Sequence, residues 1–315
     1  MDTSYLLTRL LSGFVALVVL SVVVFFLLNV LPGDAALSRS VATGDRDSTE
    51  RLRANLGLDK PIHERYVDYA SDLLRGDLGR SLSTQVPVSQ AIGERAKATV
   101  ELAVLAGFVG ITLGVFFGVL AAVHRGRWID AVVVAVGSIG IAVPTFWVGI
   151  LLVYLFSLEL DLVPAAGYVP LTEDPMESLR LMVLPVATLS FWVMASMMRV
   201  TRSAFIEVMN EEFVRTARAK GLPPRIVIVR HTLRAALIPI VTLAGLQLGR
   251  IIGGAVIIEN VFAIPGLGRL LVDSITSRDY ITAEGVVLII GATVIVINFV
   301  VDLSLRAINP SQGHA

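Results

Sequence analysis

The sequence predicts an all-α membrane protein with six transmembrane helices and a folded extracytoplasmic cap between the first two. Two observations carry this prediction: 55% of the residues are hydrophobic and 17% are charged, and the apolar residues stand in long blocks. A run of about 18 or more residues with few charges is long enough to cross a bilayer as a helix. Cysteine is absent, so the sequence offers no disulfide framework and no thiolate metal site.

The first segment, residues 1–32, is predicted to be a retained membrane anchor. Its apolar block runs from Leu10 to Leu31, and at ~1.5 Å per residue it would cover about 33 Å. A cleaved signal peptide is the alternative, but the hydrophobic part of such peptides is usually only about 7–15 residues long. Pro32 and Gly33 end the helix, because proline cannot continue it and glycine supplies the turn.

Residues 33–97 are predicted to form the cap. Ten basic and ten acidic residues are interspersed there with short apolar patches. A proline suited to a first helical turn precedes a short helical pattern. The residues expected to share one face of that helix are Tyr66, Tyr69, Leu73 and Leu74. The region is therefore expected to fold rather than to act as a flexible linker.

Residues 98–308 are predicted to form a core of five further membrane helices, followed by a cytoplasmic tail at 309–315. The predicted helix bounds are 98–123, 129–158, 181–198, 235–258 and 285–308. In the second of these helices Pro144 removes a backbone donor and predicts a kink. The first carries glycines at helical spacing, which either allow close helix packing or only reflect the frequency of glycine in membrane helices. They are Gly107, Gly110, Gly114 and Gly118.

The charges of the short loops predict that both termini are cytoplasmic. The turn at Arg125 and the loop between Arg199 and Arg234 are basic, whereas the loops that begin at Glu159 and Glu259 are acidic on balance. Short basic loops stay in the cytoplasm. The cap then lies outside the cell.

The loop at residues 203–234 is predicted to be a contact surface built as two short helices around a glycine. Gly221 stands where a helix ends on a left-handed residue, and two prolines after it favour a new first turn. An amphipathic helix lying on anionic lipid is the alternative, and the residues alone leave both open. One face of the first helix is expected to carry Phe213, Thr216, Ala217 and Lys220.

The same loop resembles the cytoplasmic motif of ABC importer permeases. Residues 215–221 read RTARAKG and are followed by Leu222. Where they depart from that family's general E-A-A-x-x-x-G pattern, they resemble its dipeptide, oligopeptide and nickel branch. LPGD at 31–34, LGLDKP at 56–61 and FAIPGLGR at 262–269 are similar to further sequences of that branch.

This resemblance implies the type I ABC importer permease architecture in the inner membrane of a prokaryote. It implies four kinds of partner: membrane lipid, a second homologous permease subunit, two ATP-binding subunits that carry ATP and magnesium, and an extracytoplasmic substrate-binding protein. The chain itself would be a transport subunit with no cofactor, and the sequence has no G-x-x-x-x-G-K-[ST] phosphate loop. The ATPase contact would be made by Phe213, Thr216, Ala217, Lys220, Gly221 and Leu222.

Polar residues inside the predicted helices are candidates for the translocation pathway, because placing them in hydrocarbon is costly. Gln247, Arg250 and Asn298 are the candidates, and Glu259 is a candidate outer gate that could pair with Arg250. Arg250 could instead reach the outer headgroups or form a structural ion pair. Asn298 could instead bond a neighbouring helix. Glu101 is expected to be simply solvated.

The leading hypothesis is uptake of dipeptides or oligopeptides through an ATP-driven importer of which this chain forms half the membrane pathway. Uptake of a nickel chelate or of glutathione is the alternative within the class. An ion-coupled secondary transporter would predict carboxylates near mid-membrane and an inverted repeat, and neither is evident in the sequence. A signalling or scaffold protein would not require the helix–glycine–helix loop.

Overall fold

The computed structural model describes residues 3–30 and 60–308. Within these ranges the secondary structure is helical, apart from one antiparallel bridge between Arg80 and Pro87. The LPGD motif, most of LGLDKP and the C-terminal tail lie outside the described residues. The helices are α1 (Thr3–Val30), α2 (Ile62–Leu74), α3 (Val88–Val123), α4 (Trp128–Ala142), α5 (Thr145–Glu159), α6 (Pro175–Met209), α7 (Glu212–Ala219), α8 (Pro224–Val261), α9 (Leu267–Thr276) and α10 (Tyr280–Ile308).

Five of the described helices are long and apolar enough to cross a membrane, namely α1, α3, α6, α8 and α10. A sixth span results if α4 and α5 together count as one crossing. Each helix coincides with an apolar block of the sequence, so the predicted all-α membrane fold is confirmed. Helix α9 was not predicted, because its ten residues fall in a stretch interpreted as a connecting loop.

The third predicted span is broken rather than kinked. Helices α4 and α5 meet at 107°, which corrects the prediction of one bent helix over residues 129–158. Val143 and Pro144 both adopt extended backbone angles between the two helices. A residue before proline avoids the helical region, and proline cannot donate a bond to the preceding turn. The chain therefore ends α4 and begins α5 anew after Pro144.

The chain divides into two compact units, one of residues 1–97 and 265–295 and the other of residues 98–264 and 296–315. In the first unit, α2 packs on α1 through aromatic rings. Phe25 lies 5.4 Å from Tyr66 and 5.2 Å from Tyr69, measured between ring centroids. Leu74, by contrast, is 85% exposed, so it does not share the packed face that the sequence predicted. Burial raises the pKa of Tyr69 above its ordinary value.

A buried carboxylate organises the turn before α3 in the same unit. Asp279 accepts hydrogen bonds from Ser81 Oγ at 2.5 Å, from the Leu82 amide at 3.0 Å and from Thr282 Oγ1 at 2.9 Å. Burial opposes ionisation of Asp279, but these donors outweigh it and hold its pKa below the ordinary value. The charged form therefore stabilises the turn.

Replacing Asp279 with Asn should lower the thermal midpoint of the purified protein at pH 7, and the deficit should shrink as the pH falls towards 3. A carboxylate whose pKa is lowered by folding contributes stability above the ordinary pKa of about 3.9 and loses it as the pH falls through the lowered value. Asp273→Asn, at an exposed position on α9, is the control and should change the midpoint little. A deficit of constant size from pH 7 to pH 3 would contradict the assignment.

The second unit is assembled around α6, which approaches α3 at backbone distance. A Cβ placed on Gly110 would lie 2.9 Å from the Ser190 carbonyl oxygen, and one on Gly118 would lie 2.8 Å from that of Met198. Gly114 meets the side chain of Met197 in the same way. The glycine spacing in α3 therefore serves close helix packing, one of the two alternatives that the sequence left open.

Glycines of three other helices face α6 as well. A Cβ on Gly140 of α4 would lie 2.7 Å from the Cβ of Ala195, and one on Gly149 of α5 would lie 3.2 Å from Thr188. One on Gly254 of α8 would lie 3.0 Å from Leu189. Each contact is tighter than ordinary van der Waals packing would permit for a residue with a side chain. Helix α6 is therefore the element on which the second unit is built.

Gly114→Ala should destabilise the protein, because the added methyl group would overlap Met197 and the Met194 carbonyl. Overpacking of this kind costs about 1–3 kcal/mol, and we expect a lower thermal midpoint and a lower yield of folded protein. Gly253→Ala is the matched control, since Gly253 lies in the membrane helix α8 and nothing lies within 4 Å of the position that its new methyl group would occupy. Equal losses of thermal stability and yield in both variants would contradict the close packing of α3 on α6.

Candidate functional site

The loop between α6 and α8 is a folded element that continues both membrane helices. Helix α6 ends at Met209, and after two residues α7 runs from Glu212 to Ala219. Helix α8 then starts at Pro224 with Pro223 as its N-terminal cap, and it passes without a break into the membrane span. The first turns of α8 are π-helical between Val227 and Leu233.

Two backbone hydrogen bonds close the corner between α7 and α8. Gly221 has φ +76°, the left-handed conformation. The Gly221 amide donates to the Arg218 carbonyl at 3.0 Å, and the Leu222 amide donates to the Ala217 carbonyl at 3.4 Å. These two bonds define a Schellman motif, which satisfies the last carbonyls of a helix when its C′ residue is left-handed. The predicted glycine corner is thus observed in detail.

A small apolar cluster holds the two arms of the corner together. Val214 and Ala217 of α7 pack with Val227 of α8, and all three are buried. Val208 at the end of α6 and Leu222 at the corner are partly buried against them. The cluster joins α6, α7 and α8, so the loop should move as one body with the ends of both spans.

The predicted contact residues divide between the inside and the outside of this corner. Phe213 is 47% exposed, and Thr216 and Lys220 are exposed beside it. Ala217 faces the apolar cluster, as does Leu222 in part, while Gly221 is exposed with open space around it. The exposed surface therefore carries an aromatic ring and charges of both signs, since Glu211 and Glu212 are exposed there as well as Arg215, Arg218 and Lys220, and the inner residues hold its shape.

Gly221→Val should loosen the corner, whereas Gly221→Asn should preserve it. Left-handed backbone costs about 1–2 kcal/mol for a residue with a Cβ and is least tolerated by β-branched residues, while Asn adopts it comparatively readily. Steric overlap does not distinguish the two variants, because nothing lies within 4 Å of the position that a Cβ would occupy at Gly221. Hydrogen exchange of the Leu222 amide should accelerate in the valine variant only. Equal protection in both would show that the left-handed corner does not control the loop.

An ion pair that the sequence analysis missed ties α4 to α6 near this loop. Arg202 donates from Nε to Asp130 Oδ1 at 2.6 Å and from Nη2 to Oδ2 at 2.9 Å. The Gly126 amide donates to the same carboxylate at 3.0 Å. Asp130 is buried, and its pairing with Arg202 offsets the free-energy cost of burying the carboxylate charge. The two residues are 72 positions apart, and no local pattern links them.

The polar candidates within the spans have different surroundings. Gln247 is fully buried, and its amide has no hydrogen-bond partner among the described residues. Arg250 is exposed, with its guanidinium 5.9 Å from the ring centroid of Trp192, within the range of a cation–π contact. Asn298 is exposed on α10. An unpaired buried amide costs about 1–3 kcal/mol, so Gln247 lies in the least favourable surroundings of the three side chains.

Glu259 is held by a different partner from the one expected. Its side chain is fully buried, and Thr99 Oγ1 donates to its Oε1 at 2.6 Å. Arg250 and Glu259 are nine residues apart on α8, which is two and a half helical turns, so they point to opposite faces. The suggested pairing of Arg250 with Glu259 is therefore wrong.

Glu101 is not simply solvated, contrary to the prediction. Tyr168 donates its hydroxyl to Glu101 Oε2 at 2.9 Å, which ties the loop between α5 and α6 to α3. Burial, together with this hydrogen bond, raises the pKa of Tyr168 above its ordinary value. The 67 residues between the partners hid the contact from sequence reasoning.

Two known families match most of the chain. The family described as "Binding-protein-dependent transport system inner membrane component" matches residues 114–314. The N-terminal family of the same transport system matches residues 2–103. Of the residues that the structure describes, only 104–113 fall between the two matches.

Relatives of similar length are named as permease proteins of transport systems. A peptide transport system permease protein of Brucella melitensis biotype 1 is 38% identical over 310 residues, which cover 98% of each chain. A peptide ABC transporter permease protein of Sinorhizobium fredii is 37% identical over 306 residues, covering 97% of this chain and 98% of the relative. The glutathione transport system permease protein GsiC of Escherichia coli O6:H1 is 39% identical over 308 residues, covering 98% of each.

Solved structures share the fold at low identity. The inward-facing MetNI methionine ABC transporter matches with a TM-score of 0.56 at 18% identity, over 70% of this chain and 97% of that one. An amino acid ABC transporter with histidines matches with a TM-score of 0.55 at 16% identity, over 70% and 94%.

Proposed function

The chain belongs to the family of binding-protein-dependent transport system inner membrane components, the permease subunits of ABC importers, and we propose that it forms half of the membrane pathway for uptake of short peptides. It is a transport component and not an enzyme. The proposal assigns ATP and magnesium to two separate ATP-binding subunits, and the other half of the pathway to a second homologous permease subunit. An extracytoplasmic binding protein would deliver the substrate.

The observation that carries the coupling part of the proposal is the folded corner that continues both α6 and α8. Its arms are joined by the cluster at Val214, Ala217 and Val227, and its outer face presents Phe213 among charged residues of both signs. A large exposed aromatic side chain can anchor a protein interface when a partner buries it. We infer that the ATP-binding subunit receives Phe213, Thr216 and Lys220, while Ala217, Gly221 and Leu222 keep that surface in shape.

In the proposed mechanism, closure of the ATP-binding subunits moves the corner and, with it, the attached ends of α6 and α8. The two helices are packed together through close contacts such as Gly254 against Leu189, so they would shift as one body. Gln247 and Arg250 lie on α8, where such a shift would change what they face. A buried amide without a partner in one state gains one if the shift opens it to water or substrate. Asn298 and Glu259 remain candidates for the pathway and its outer gate.

The orientation in the membrane follows the loop charges. Both termini and the α6–α8 corner are proposed to be cytoplasmic, because the short loops with excess arginine stay on that side. The cap residues then lie outside, where the binding protein docks. A prokaryotic inner or plasma membrane is the proposed location.

The substrate class rests on the relatives. Those named peptide permeases favour dipeptides or oligopeptides, and GsiC favours glutathione, which is itself a tripeptide. Uptake by the reconstituted importer of labelled dipeptide, of labelled glutathione and of a nickel chelate would separate these possibilities. Peptide uptake that is saturable and needs both ATP and the binding protein is expected. ATP-independent uptake driven by a proton or sodium gradient would contradict the proposal.

Phe213→Ala should uncouple the importer. Loss of a central aromatic contact costs about 2 kcal/mol or more at a protein interface, so the affinity for the ATP-binding subunit should fall about thirtyfold or further, and ATP-driven uptake should fall with it. Val229→Ala, which truncates another exposed apolar side chain (63% exposed) beside the corner, is the control and should leave both quantities near their original values. The measurements are subunit association by titration and peptide uptake into proteoliposomes. Wild-type association in the Phe213 variant would remove this surface from the proposed interface.

A further inference from the structure

A cavity of about 280 Å³ opens between α4 and α6, apart from the loop and the polar groups considered above. Both helices belong to the second unit. The cavity is lined on one side by aliphatic groups, among them Val133, Val134, Ile141 and Met198. On the other it is lined by Arg199, Arg202 and Ser203. One end is thus apolar and the other cationic.

The cationic end carries a net positive charge. Arg202 uses Nε and Nη2 for its bidentate pair with Asp130, so those two charges cancel. Arg199 is exposed and forms no ion pair within residues 3–30 and 60–308. One uncompensated guanidinium, with the unused donors of Arg202 beside it, suits a phosphate group, which binds well to arginine donors.

The position along the helices matches the boundary between headgroups and hydrocarbon. Trp128 at the start of α4 is 75% exposed, and Arg125 and Arg127 precede it; tryptophan and basic residues concentrate at that boundary. Asp130 follows two residues later, or about 3 Å along the helix, and fixes Arg202 at its level. The apolar side continues to Ala142, about 21 Å from Trp128 along α4.

From this arrangement we propose that the cavity binds one anionic phospholipid, with its phosphate at Arg199 and Arg202 and an acyl chain along α4 and α6. A peptide in transit fits the site poorly. Its backbone would need hydrogen-bond partners that the valine, isoleucine and methionine walls do not offer. A phospholipid places only its phosphate and part of one acyl chain in the cavity, and the rest of the molecule stays in the bilayer. The site holds a specific lipid from the leaflet that adjoins the α6–α8 corner.

The experiment titrates the purified, assembled importer with phosphatidylglycerol and with phosphatidylcholine and counts bound lipids by native mass spectrometry. Arg199→Gln should weaken binding of phosphatidylglycerol by about fivefold, the contribution of one basic residue near an anionic headgroup, and should weaken binding of phosphatidylcholine less, because its choline group offsets the charge of its phosphate. Arg127→Gln is the matched control, because Arg127 is exposed at the same boundary but does not line the cavity. Equal weakening in both variants would overturn the proposal, as would no weakening in the Arg199 variant.

A second variant tests the acyl-chain side without touching a charge. A Cβ on Gly137 would lie 3.6 Å from the Ala195 carbonyl oxygen, an ordinary contact, so Gly137→Leu can fill the cavity with little disturbance of the helix packing. It should displace the bound phospholipid of either headgroup, and unaltered lipid counts would overturn the proposal. Inorganic phosphate added in excess should not displace phosphatidylglycerol, since it lacks the chain; complete displacement would identify a simple anion site instead.

The occupant can be identified directly. The chain has no cysteine, so Ser203→Cys carries a single photoreactive label at the rim of the cavity. Crosslinking in membranes that contain phosphatidylglycerol should attach lipid to this chain, and Arg199→Gln should reduce the attachment about fivefold. Crosslinks to a second polypeptide alone would show that a subunit covers the cavity, and the lipid assignment would fall.

Discussion

The backbone of α6 is the surface on which the second unit is assembled. Glycines of α3 and α4 meet α6 where a side chain would collide, and glycines of α5 and α8 meet it where a side chain would be crowded. Within lipid there is little hydrophobic force between helices, so their association depends on van der Waals contact and on polar bonds between them. Close backbone approach maximises the first, and the Asp130–Arg202 pair supplies the second. The contacts of α3 are with backbone carbonyls of α6, which cannot rotate away as a flexible side chain can.

This packing affects how movement can pass through the unit. Helix α6 leads within two residues into α7, whose cluster at Val214 and Ala217 includes Val227 of α8. Because these contacts join α6, α7 and α8, we expect a displacement of the corner to move the attached ends of α6 and α8 directly. Helices α4 and α5, by contrast, are separated by the extended residues Val143 and Pro144. The continuous connection and the break thus lie on different helices.

Much of the fold could be predicted from the sequence because its signals are local. Apolar blocks identify membrane helices directly, since the bilayer sets both their length and their composition. The corner at Gly221 was predictable because a left-handed residue, two prolines and helical spacing act within a dozen positions. The spacing of Gly110, Gly114 and Gly118 allowed a close helix contact as one of two alternatives, but it could not decide between them or name the partner helix.

What escaped prediction depends on contacts across the chain or on small energy differences. The Asp130–Arg202 and Glu101–Tyr168 contacts join residues 72 and 67 positions apart, and nothing in the intervening sequence indicates them. The 107° break required a choice between bending a helix at Pro144 and ending it there, and composition does not decide that. Arg250 and Glu259 were paired by charge alone, and helical phase separates them. Helix α9 is short and was obscured by the glycine-rich turn before it.

In the Schellman corner, the residues that determine the backbone shape differ from those that form the exposed surface. Its geometry is fixed by main-chain hydrogen bonds at Gly221 and Leu222 and by inward-facing valine and alanine. The residues that point outward, Phe213, Arg215 and Thr216 among them, contribute nothing to those bonds. Outer side chains can therefore be exchanged during evolution without refolding the element. Related permeases could in this way bind different ATP-binding subunits while all of them keep the same backbone corner.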